Sequence, residues 1–361
     1  MQDQNQTRIA KLLPGLMESP ALFVHEIRPD KGVALVIEAD RNFYRNAVFL
    51  DQRVLNQKSK GAWVPLDLLW RHVDAGLGGR IAPASFIFHT GHSGSTLISR
   101  LLDEVPNVLG IREPLPLRTM AVGFNGRESL PEGAFEEAFR RTYQLLVRRF
   151  SPEQQVIIKA TSMCNNIAHL LLRQNPANRG LLLFVKLEVY LANMLDKKEN
   201  PDIERFFTHR LTGLKKLVLG MDLEMPALSH PEKIAFSWLA EAAEFNSLNT
   251  GQDSSKILLM DFDRFLSQTD IHLGMIFSHF GIPGAEEALD RVLASPVFKS
   301  YAKQPDFAFS PENRQAILNE SRATNKAGID EGLKFVEGLI ESHPALEGVL
   351  TKTPLSLRSI Q

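Results

Sequence analysis

Residues 85–102 of the chain read SFIFHTGHSGSTLISRLL. A short apolar run ends in a tight loop of glycine and serine, and an amphipathic helix begins at once. This order builds an anion site, because N–H groups of the loop and the first helical turn converge there and the helix dipole adds partial positive charge. Gly91 and Gly94 allow the backbone to approach an anion closely. Three hydroxyl side chains can donate further hydrogen bonds: Ser93, Ser95 and Thr96.

The loop lacks the lysine that marks a triphosphate site. Loops of this kind that bind ATP or GTP end in Gly-Lys-Ser/Thr, and the lysine reaches the β- and γ-phosphates. Here Gly94 is followed directly by Ser95. The sequence therefore favours a phosphate ligand that is not a hydrolysable triphosphate.

The composition is that of an ordinary globular protein: 361 residues, of which 44% are hydrophobic and 23% charged. The 41 lysines and arginines balance 42 acidic residues, so no overall charge favours nucleic acid or a membrane surface. Cys164 is the single cysteine, which excludes an intrachain disulfide and indicates a reducing compartment. The N-terminus has no apolar core of signal-peptide length, and no apolar run reaches the roughly 18 residues of a membrane helix. We expect a cytoplasmic protein with no membrane span, metal site or nucleic-acid partner.

An N-terminal α+β extension is predicted over residues 1–80. Two apolar runs, Ala21–Ile27 and Gly32–Ile37, flank a Pro-Asp-Lys-Gly turn and are predicted as strands. Phe43–Leu50 is predicted as a third strand. A linker rich in glycine and proline, Gly76–Pro83, follows.

Residues 81–361 form the second predicted unit, in which strands alternate with helices. Such alternation is typical of a parallel sheet covered by helices. The predicted strands are Phe86–His89, Val108–Arg112, Val156–Lys159, Leu181–Lys186 and Ile257–Phe262. The last quarter of the chain is mostly helical. The fold class is therefore α/β, with a central parallel sheet that is preceded by a small β-rich N-terminal segment and followed by a helical C-terminal region.

Five segments follow one another in a characteristic order and at a characteristic spacing. They are Gly91–Leu97, Gly110–Pro114, Val156–Thr161, Leu183–Asn193 and Leu258–Pro283. In this order they resemble the sulfotransferase superfamily, the P-loop-like enzymes that use 3′-phosphoadenosine 5′-phosphosulfate (PAPS). The loop matches the family's Pro-Arg-Ser-Gly-Thr-Thr-Leu, and Glu113, after the second strand, lies at a spacing similar to that of the family's catalytic glutamate.

The resemblance implies a P-loop-like three-layer α/β/α fold and transfer of a sulfuryl group from PAPS to a hydroxyl or amine. The acceptor class stays open between small molecules, lipids, glycans and peptides. Glu113 is the implied general base, Lys159 stabilises charge on the leaving phosphate, and His92 contacts the same phosphate. The implied cradle of the 5′-phosphosulfate is Gly91, His92, Ser93, Gly94, Ser95 and Thr96. The 3′-phosphate is assigned to Lys186 and Asn193.

The chain departs from the family pattern at three positions. His92 replaces the usual arginine or lysine of the loop, Lys186 stands where arginine is usual, and Asn193 lies one residue away from the family's serine position. These departures make the contacts to the 3′-phosphate the least direct inference from the resemblance.

Alternatives remain open for the site and for the whole chain. Glu113 could form a salt bridge with Arg112 or another loop cation, and Lys159 could be a rim lysine paired with an acid. One alternative function is a small-molecule kinase, for which Asp261 is the candidate magnesium-binding acid. The other is a non-catalytic homologue that binds a nucleotide or an anion.

Overall fold

The computed structural model describes residues 2–57, 59–76, 81–196, 201–218, 220–301, 304–308 and 310–347. Residues 77–80 of the predicted linker between the two units therefore lie outside the described residues. The strands are β1 Leu22–Arg28, β2 Val33–Glu38, β3 Gly61–Pro65, β4 Ser85–His89, β5 Val108–Arg112, β6 Gln155–Lys159, β7 Arg179–Phe184, β8 Ile257–Asp261, β9 Ser300–Tyr301 and β10 Gln304–Ala308. The helices are α1 Gln2–Leu12, α2 Arg41–Asn46, α3 Leu66–Ala75, α4 Ser95–Leu102, α5 Leu115–Asn125, α6 Ala134–Leu146, α7 Ala168–Arg173, α8 Leu187–Leu195, α9 Pro201–Arg205, α10 Phe207–Leu217, α11 His230–Thr250, α12 Phe262–Ser267, α13 Thr269–Phe280, α14 Ala285–Ala294, α15 Pro311–Thr324 and α16 Lys326–Ser342.

Five parallel strands form the central sheet, in the order β5-β6-β4-β7-β8. Every residue of β4 and β5 is buried. A strand that is buried along its whole length has both faces of its sheet covered, which is the usual state of a parallel sheet. The predicted three-layer α/β/α fold with a central parallel sheet is confirmed, and each of its five strands lies within two residues of its predicted bounds.

The strand order places a topological switch at β4. From β4 the chain goes to β5 and back to β6 on one side, and then crosses to β7 on the other side of β4. Ligands of open α/β sheets bind at the carboxyl ends of the strands at such a switch. The loop of residues 90–94 leaves β4 at this edge.

The N-terminal segment forms a separate antiparallel sheet of three strands, in the order β1-β2-β3. The first two strands were predicted, but the third prediction, Phe43–Leu50, is wrong. Residues 41–46 form α2 instead, because the Asp40 side chain caps it by accepting a hydrogen bond from the Phe43 N–H at 2.7 Å. The third strand is β3.

Two buried arginines fasten the N-terminal segment to the central sheet. Arg112, at the end of β5, donates to the Ala47 carbonyl at 2.8 Å and to the carbonyls of Tyr44 and Arg45. Arg148, after α6, donates to the carbonyls of Leu16 and Ser19. Residues of both parts also share the main apolar core: Phe23, Ile37, Tyr44 and Leu50 pack with the sheet residues. The division of the chain at residues 80 and 81 stays a prediction.

At the C-terminal end, α16 packs against α8 and α11, and α15 packs against α8. The Ser321 hydroxyl donates to the Ala192 carbonyl at 2.6 Å, and Arg322 forms a two-pronged ion pair with Glu188. None of the helices in the described ranges has the length and apolar character needed to cross a bilayer. Within the same ranges, His, Cys, Asp and Glu side chains nowhere gather in a group of three that could hold a metal ion.

Candidate active site

The loop after β4 is shaped by the Ser93 hydroxyl. This hydroxyl lies 2.7 Å from the Thr90 carbonyl and 3.2 Å from the Leu183 carbonyl of the neighbouring strand, and it donates to both. Ser93 is completely buried. Its hydroxyl, predicted as a donor to a phosphate, is therefore engaged with the backbone, which leaves the N–H of the loop as the group that can face a ligand.

The start of the loop is held by a carboxylate from α11. The Gly91 N–H donates to Glu241 Oε2 at 3.0 Å, and Arg210 donates to the other oxygen of the same carboxylate at 2.7 Å. Both Glu241 and Arg210 are buried. Each charge of a buried pair loses its hydration, and these mutual contacts compensate for that loss.

Gly94 ends the loop and is the N-cap of α4. Its φ of 73° lies in the left-handed region, and a Cβ at this position would lie 2.1 Å from ring carbons of Phe262. Both the backbone angle and the close ring require glycine here. The sequence predicts Gly94 as a position of close approach, and the structure identifies the Phe262 ring of α12 as one partner.

The first turn of α4 presents polar groups that its own helix leaves without partners. The N–H groups of Ser95, Thr96 and Leu97 precede the first carbonyl-bonded N–H, which is that of Ile98. The Thr96 side-chain oxygen is buried and has no hydrogen-bond partner among the described residues. An anion at this end of α4 would satisfy these groups and would gain from the helix dipole.

Glu113 and Lys159, predicted from the ends of two separate strands, form one ion pair. β5 and β6 are neighbours, so the residues that follow Arg112 and end β6 meet at the same edge of the sheet. The Glu113 N–H also donates to the Lys159 carbonyl at 2.7 Å. Glu113 has a φ of 53°, a conformation that non-glycine residues rarely adopt. Glu113 is thus held at both its backbone and its side chain.

The Lys159 ammonium belongs to a side chain that is only 1% exposed. Burial lowers the pKa of Lys159 below its usual 10.5, and the Glu113 carboxylate opposes that change. The ammonium also lies 5.5 Å from the centre of the Phe49 ring, which comes from the N-terminal segment. A buried cation with one carboxylate and one aromatic face is poorly solvated and acts strongly on any charge placed beside it.

Arg112, the alternative partner of Glu113, forms its ion pair elsewhere. Its guanidinium lies 3.1 Å from Asp103 and is otherwise occupied by carbonyls of the N-terminal segment. Glu113 therefore does form a salt bridge, but with Lys159, the other predicted catalytic residue, and not with Arg112.

The remaining predicted residues are His92, Lys186 and Asn193. His92 lies in the loop with a φ of 59°. Lys186 is the half-buried N-cap residue of α8, and its charge acts on Asp261, whose pKa is raised by burial and lowered in part by that lysine. Asn193 lies further along α8, and its buried amide nitrogen has no hydrogen-bond partner in the described part of the chain. Within that part, neither Lys186 nor Asn193 forms a hydrogen bond with the loop or with Glu113.

Sequence reasoning missed the residues that reach the site from distant parts of the chain: Phe49, Arg53, Arg210 and Glu241. Glu241 gives a usable signal, because it is an acid within the buried, largely apolar run Ile234–Phe245 of α11. A buried acid needs a partner. The others carry no such signal, since their positions follow from how the N-terminal segment and α10 fold over the sheet.

No family model and no curated protein sequence matches the chain. Solved structures do match it. The sulfotransferase domain from the curacin biosynthetic pathway is 11% identical, with 67% of this chain and 91% of that chain covered and a TM-score of 0.42. Sulfotransferase STF9 from Mycobacterium avium is 14% identical over 80% of this chain and 92% of that one, with a TM-score of 0.37. Mouse sulfotransferase SULT7A1, complexed with PAP, is 11% identical over 74% and 92%, with a TM-score of 0.32. All three of these structures are of sulfotransferases.

Proposed function

We propose that this protein is an enzyme that transfers a sulfuryl group from PAPS to a hydroxyl or amine acceptor. The observation that carries the proposal is the ion pair of Glu113 and Lys159 at the edge of the sheet where the loop after β4 begins α4. Sulfuryl transfer needs a base for the acceptor, positive charge for the leaving phosphate and a fixed alignment of the two. The pair supplies the base and the cation at neighbouring strand ends.

In the proposed reaction the acceptor oxygen attacks the sulfur. A new oxygen–sulfur bond forms, the bond between sulfur and the 5′-phosphate oxygen breaks, and its electron pair stays on that phosphate. Glu113 takes the proton of the acceptor hydroxyl as general base. Lys159 stabilises the negative charge that grows on the leaving phosphate oxygen. Protonation of Glu113 weakens its hold on the Lys159 ammonium, so the cation becomes free to act on the phosphate at the moment when charge develops there.

The loop and the first turn of α4 are proposed to bind the 5′-phosphosulfate of the donor. The residue types fit, because the N–H groups of the first turn of α4 have no partner in their own helix and the buried Thr96 oxygen needs a partner. His92 can donate from a ring nitrogen, and a bound anion favours its protonated form. Ser93 and Ser95 contribute their N–H groups. Lys186 and Asn193 are proposed for the 3′-phosphate, on the other side of β4.

No observation favours the kinase alternative. Asp261, the acid that it depends on, caps α12 by accepting a hydrogen bond from the Asp263 N–H at 2.8 Å. The non-catalytic alternative is an outcome of the test below.

The test combines binding and transfer. Calorimetry measures the affinity for PAP, and a transfer assay with PAPS and a panel of hydroxyl and amine acceptors measures turnover. Glu113→Gln is expected to lower turnover by about 10²–10⁴-fold, the range for loss of a general base, with PAP affinity kept. Lys159→Met is expected to lower turnover and to weaken PAP binding. The double variant removes both charges and shows by its thermal melting whether either single change acted through an unpaired buried charge.

Glu128→Gln and Lys216→Met are the control variants. These two residues form an exposed acid–lysine pair outside the candidate site, with 4.0 Å between the Lys216 ammonium and the Glu128 carboxylate. Absence of PAP binding to the wild-type protein overturns the proposal. PAP binding without transfer to any acceptor replaces it with the non-catalytic homologue.

A further inference from the structure

Three arginines surround one aromatic ring next to the candidate site. The guanidinium carbons of Arg118, Arg205 and Arg210 lie 5.5, 5.3 and 5.8 Å from the centre of the Phe206 ring. They come from α5, α9 and α10, so three separate helices bring positive charge to one place. We call Arg118, Arg205, Arg210 and Phe206 the arginine cluster.

Two of the three arginines form no ion pair among the described residues, although the charge of Arg118 acts on the carboxylate of Asp51. Arg210 is buried and pairs with Glu241. Arg118 is half-buried and Arg205 is exposed, and neither forms a hydrogen bond or an ion pair with the residues that the structure describes. Like charges held close together raise the local potential and attract an anion. A guanidinium next to an aromatic ring uses one face of its own plane for that contact. The N–H groups at its edge stay available to an anion.

A second aromatic ring, Phe49, lies next to the catalytic pair. Phe49 lies 4.1 Å from the Arg53 guanidinium and 5.5 Å from the Lys159 ammonium. Arg53 itself is paired with Asp51 through its Nε and a terminal nitrogen. The pKa of Asp51 is raised by burial, but the Arg53 hydrogen bonds and the charges of Arg53 and Arg118 lower it overall. The charge of Arg118 thus acts on Asp51, which lies two residues from Phe49, the ring beside the Lys159 ammonium.

The arginine cluster also lies on a definite side of the loop after β4. Arg118 belongs to the helix that follows β5, and β5 is the edge strand on the β6 side of β4. Lys186, proposed for the 3′-phosphate of the donor, follows β7 on the opposite side of β4. The cluster therefore lies beside the general base and away from the proposed 3′-phosphate contacts, which is the side that an acceptor would occupy.

We propose that the acceptor of this enzyme is a small molecule that carries a carboxylate or a phosphate in addition to its hydroxyl. Arg118 and Arg205 would bind the anionic group beside Phe206, and Glu113 would face the hydroxyl. This inference rests on the proposed function, because it names the second substrate of the same site. Bidentate contacts between guanidinium and carboxylate or phosphate supply both affinity and orientation.

The experiment uses matched acceptor pairs that differ in the charged group. The pairs are para-hydroxybenzoate with para-hydroxybenzamide, and glycerol phosphate with glycerol. Each compound is measured twice: as a ligand by calorimetry without donor, and as an acceptor in transfer with PAPS. The variants are Arg118→Gln, Arg205→Gln and their combination. Arg127→Gln is the control, because Arg127 also stacks on a phenylalanine, Phe124 at 3.9 Å, at the far end of α5.

The charged member of at least one pair is expected to bind about tenfold more tightly than its neutral partner, the minimum worth of a charged hydrogen bond. The double variant is expected to raise KM for that compound by a similar factor, with kcat and PAP affinity unchanged, while Arg127→Gln changes none of these. Equal use of neutral and charged members, an unchanged preference in the double variant, or binding of no charged member would each overturn the inference. Failure of wild-type protein to bind PAP overturns the proposed function instead, and the calorimetry without donor still reports on the anion preference.

Discussion

Gly94→Ala tests whether the loop after β4 is shaped as the structure has it. Alanine at a φ of 73° occupies the left-handed region, which costs about 1–2 kcal/mol for a residue with a Cβ. The new Cβ also overlaps the Phe262 ring, whose nearest carbons lie 2.1 Å from its position. Phe262 is buried and packs in the core, so the ring cannot move freely, and such overpacking costs about a further 1–3 kcal/mol. We expect the free energy of unfolding to fall by about 2–5 kcal/mol in total.

Gly133→Ala separates the two contributions. Gly133 is likewise an N-cap glycine, with a φ of 75°, and a Cβ added there would have nothing within 4 Å. It should therefore lose only the backbone contribution, about 1–2 kcal/mol. Both variants are measured by urea unfolding, together with PAP affinity, which should weaken only in Gly94→Ala. Adding Phe262→Leu to Gly94→Ala should restore part of the lost stability. Equal destabilisation of Gly94→Ala and Gly133→Ala would refute the close contact with Phe262.

Three further predictions concern charge and burial. Burial raises the pKa of Glu244 from 4.5 to about 7, and the charge of Lys216 opposes this. Between these two values the folded protein holds a proton that the unfolded chain has lost, so the folded state loses stability as the pH rises from 4.5 through about 7. Urea unfolding of Glu244→Gln should therefore show unchanged stability near pH 4.5 and a gain of up to about 3 kcal/mol near pH 8. Arg112→Met leaves Asp103 and three carbonyls of the N-terminal segment without their buried partner, so unfolding should become easier by about 3–5 kcal/mol and limited proteolysis should cut residues 40–57 faster. Burial lowers the pKa of Lys159, so its ammonium loses its proton at a pH below 10.5. The alkaline decrease of kcat/KM for transfer should therefore begin below pH 10.5, and in Lys159→Arg it should begin at a higher pH.

The sequence was sufficient for the central sheet because each of its strands is a buried apolar run with a clear end. Val108–Arg112 was predicted with the bounds of β5, since a charged residue follows an apolar run there. Phe43–Leu50 failed for a local reason. Its apolar residues suit a strand, but the cap from Asp40 starts a helix, and Arg112, distant in sequence, fixes that helix by binding the carbonyls at its end. Propensity is a weak guide where a tertiary contact of this kind decides.

The site divides in the same way. Glu113 and Lys159 were predictable because the carboxyl ends of parallel strands meet at one edge. The sequence does not show which polar groups of the loop already have a partner within the protein. The Ser93 hydroxyl donates to a carbonyl of the same loop, and the Gly91 N–H donates to Glu241, 150 residues away in sequence. The arginine cluster was also hidden, because its members lie on three helices and none is unusual in its own segment.

The backbone angles link the two halves of the candidate site. Among the described residues, His92 and Glu113 are the non-glycine residues with positive φ, and they lie in the loop and in the ion pair, respectively. A residue keeps such a conformation only when its surroundings hold it there. For Glu113 the holding group is Lys159 at both ends, since its carbonyl accepts the Glu113 N–H and its ammonium pairs with the carboxylate. Lys159 therefore positions the base as well as supplying charge. This predicts that Lys159→Met lowers turnover more than the loss of one positive charge alone would.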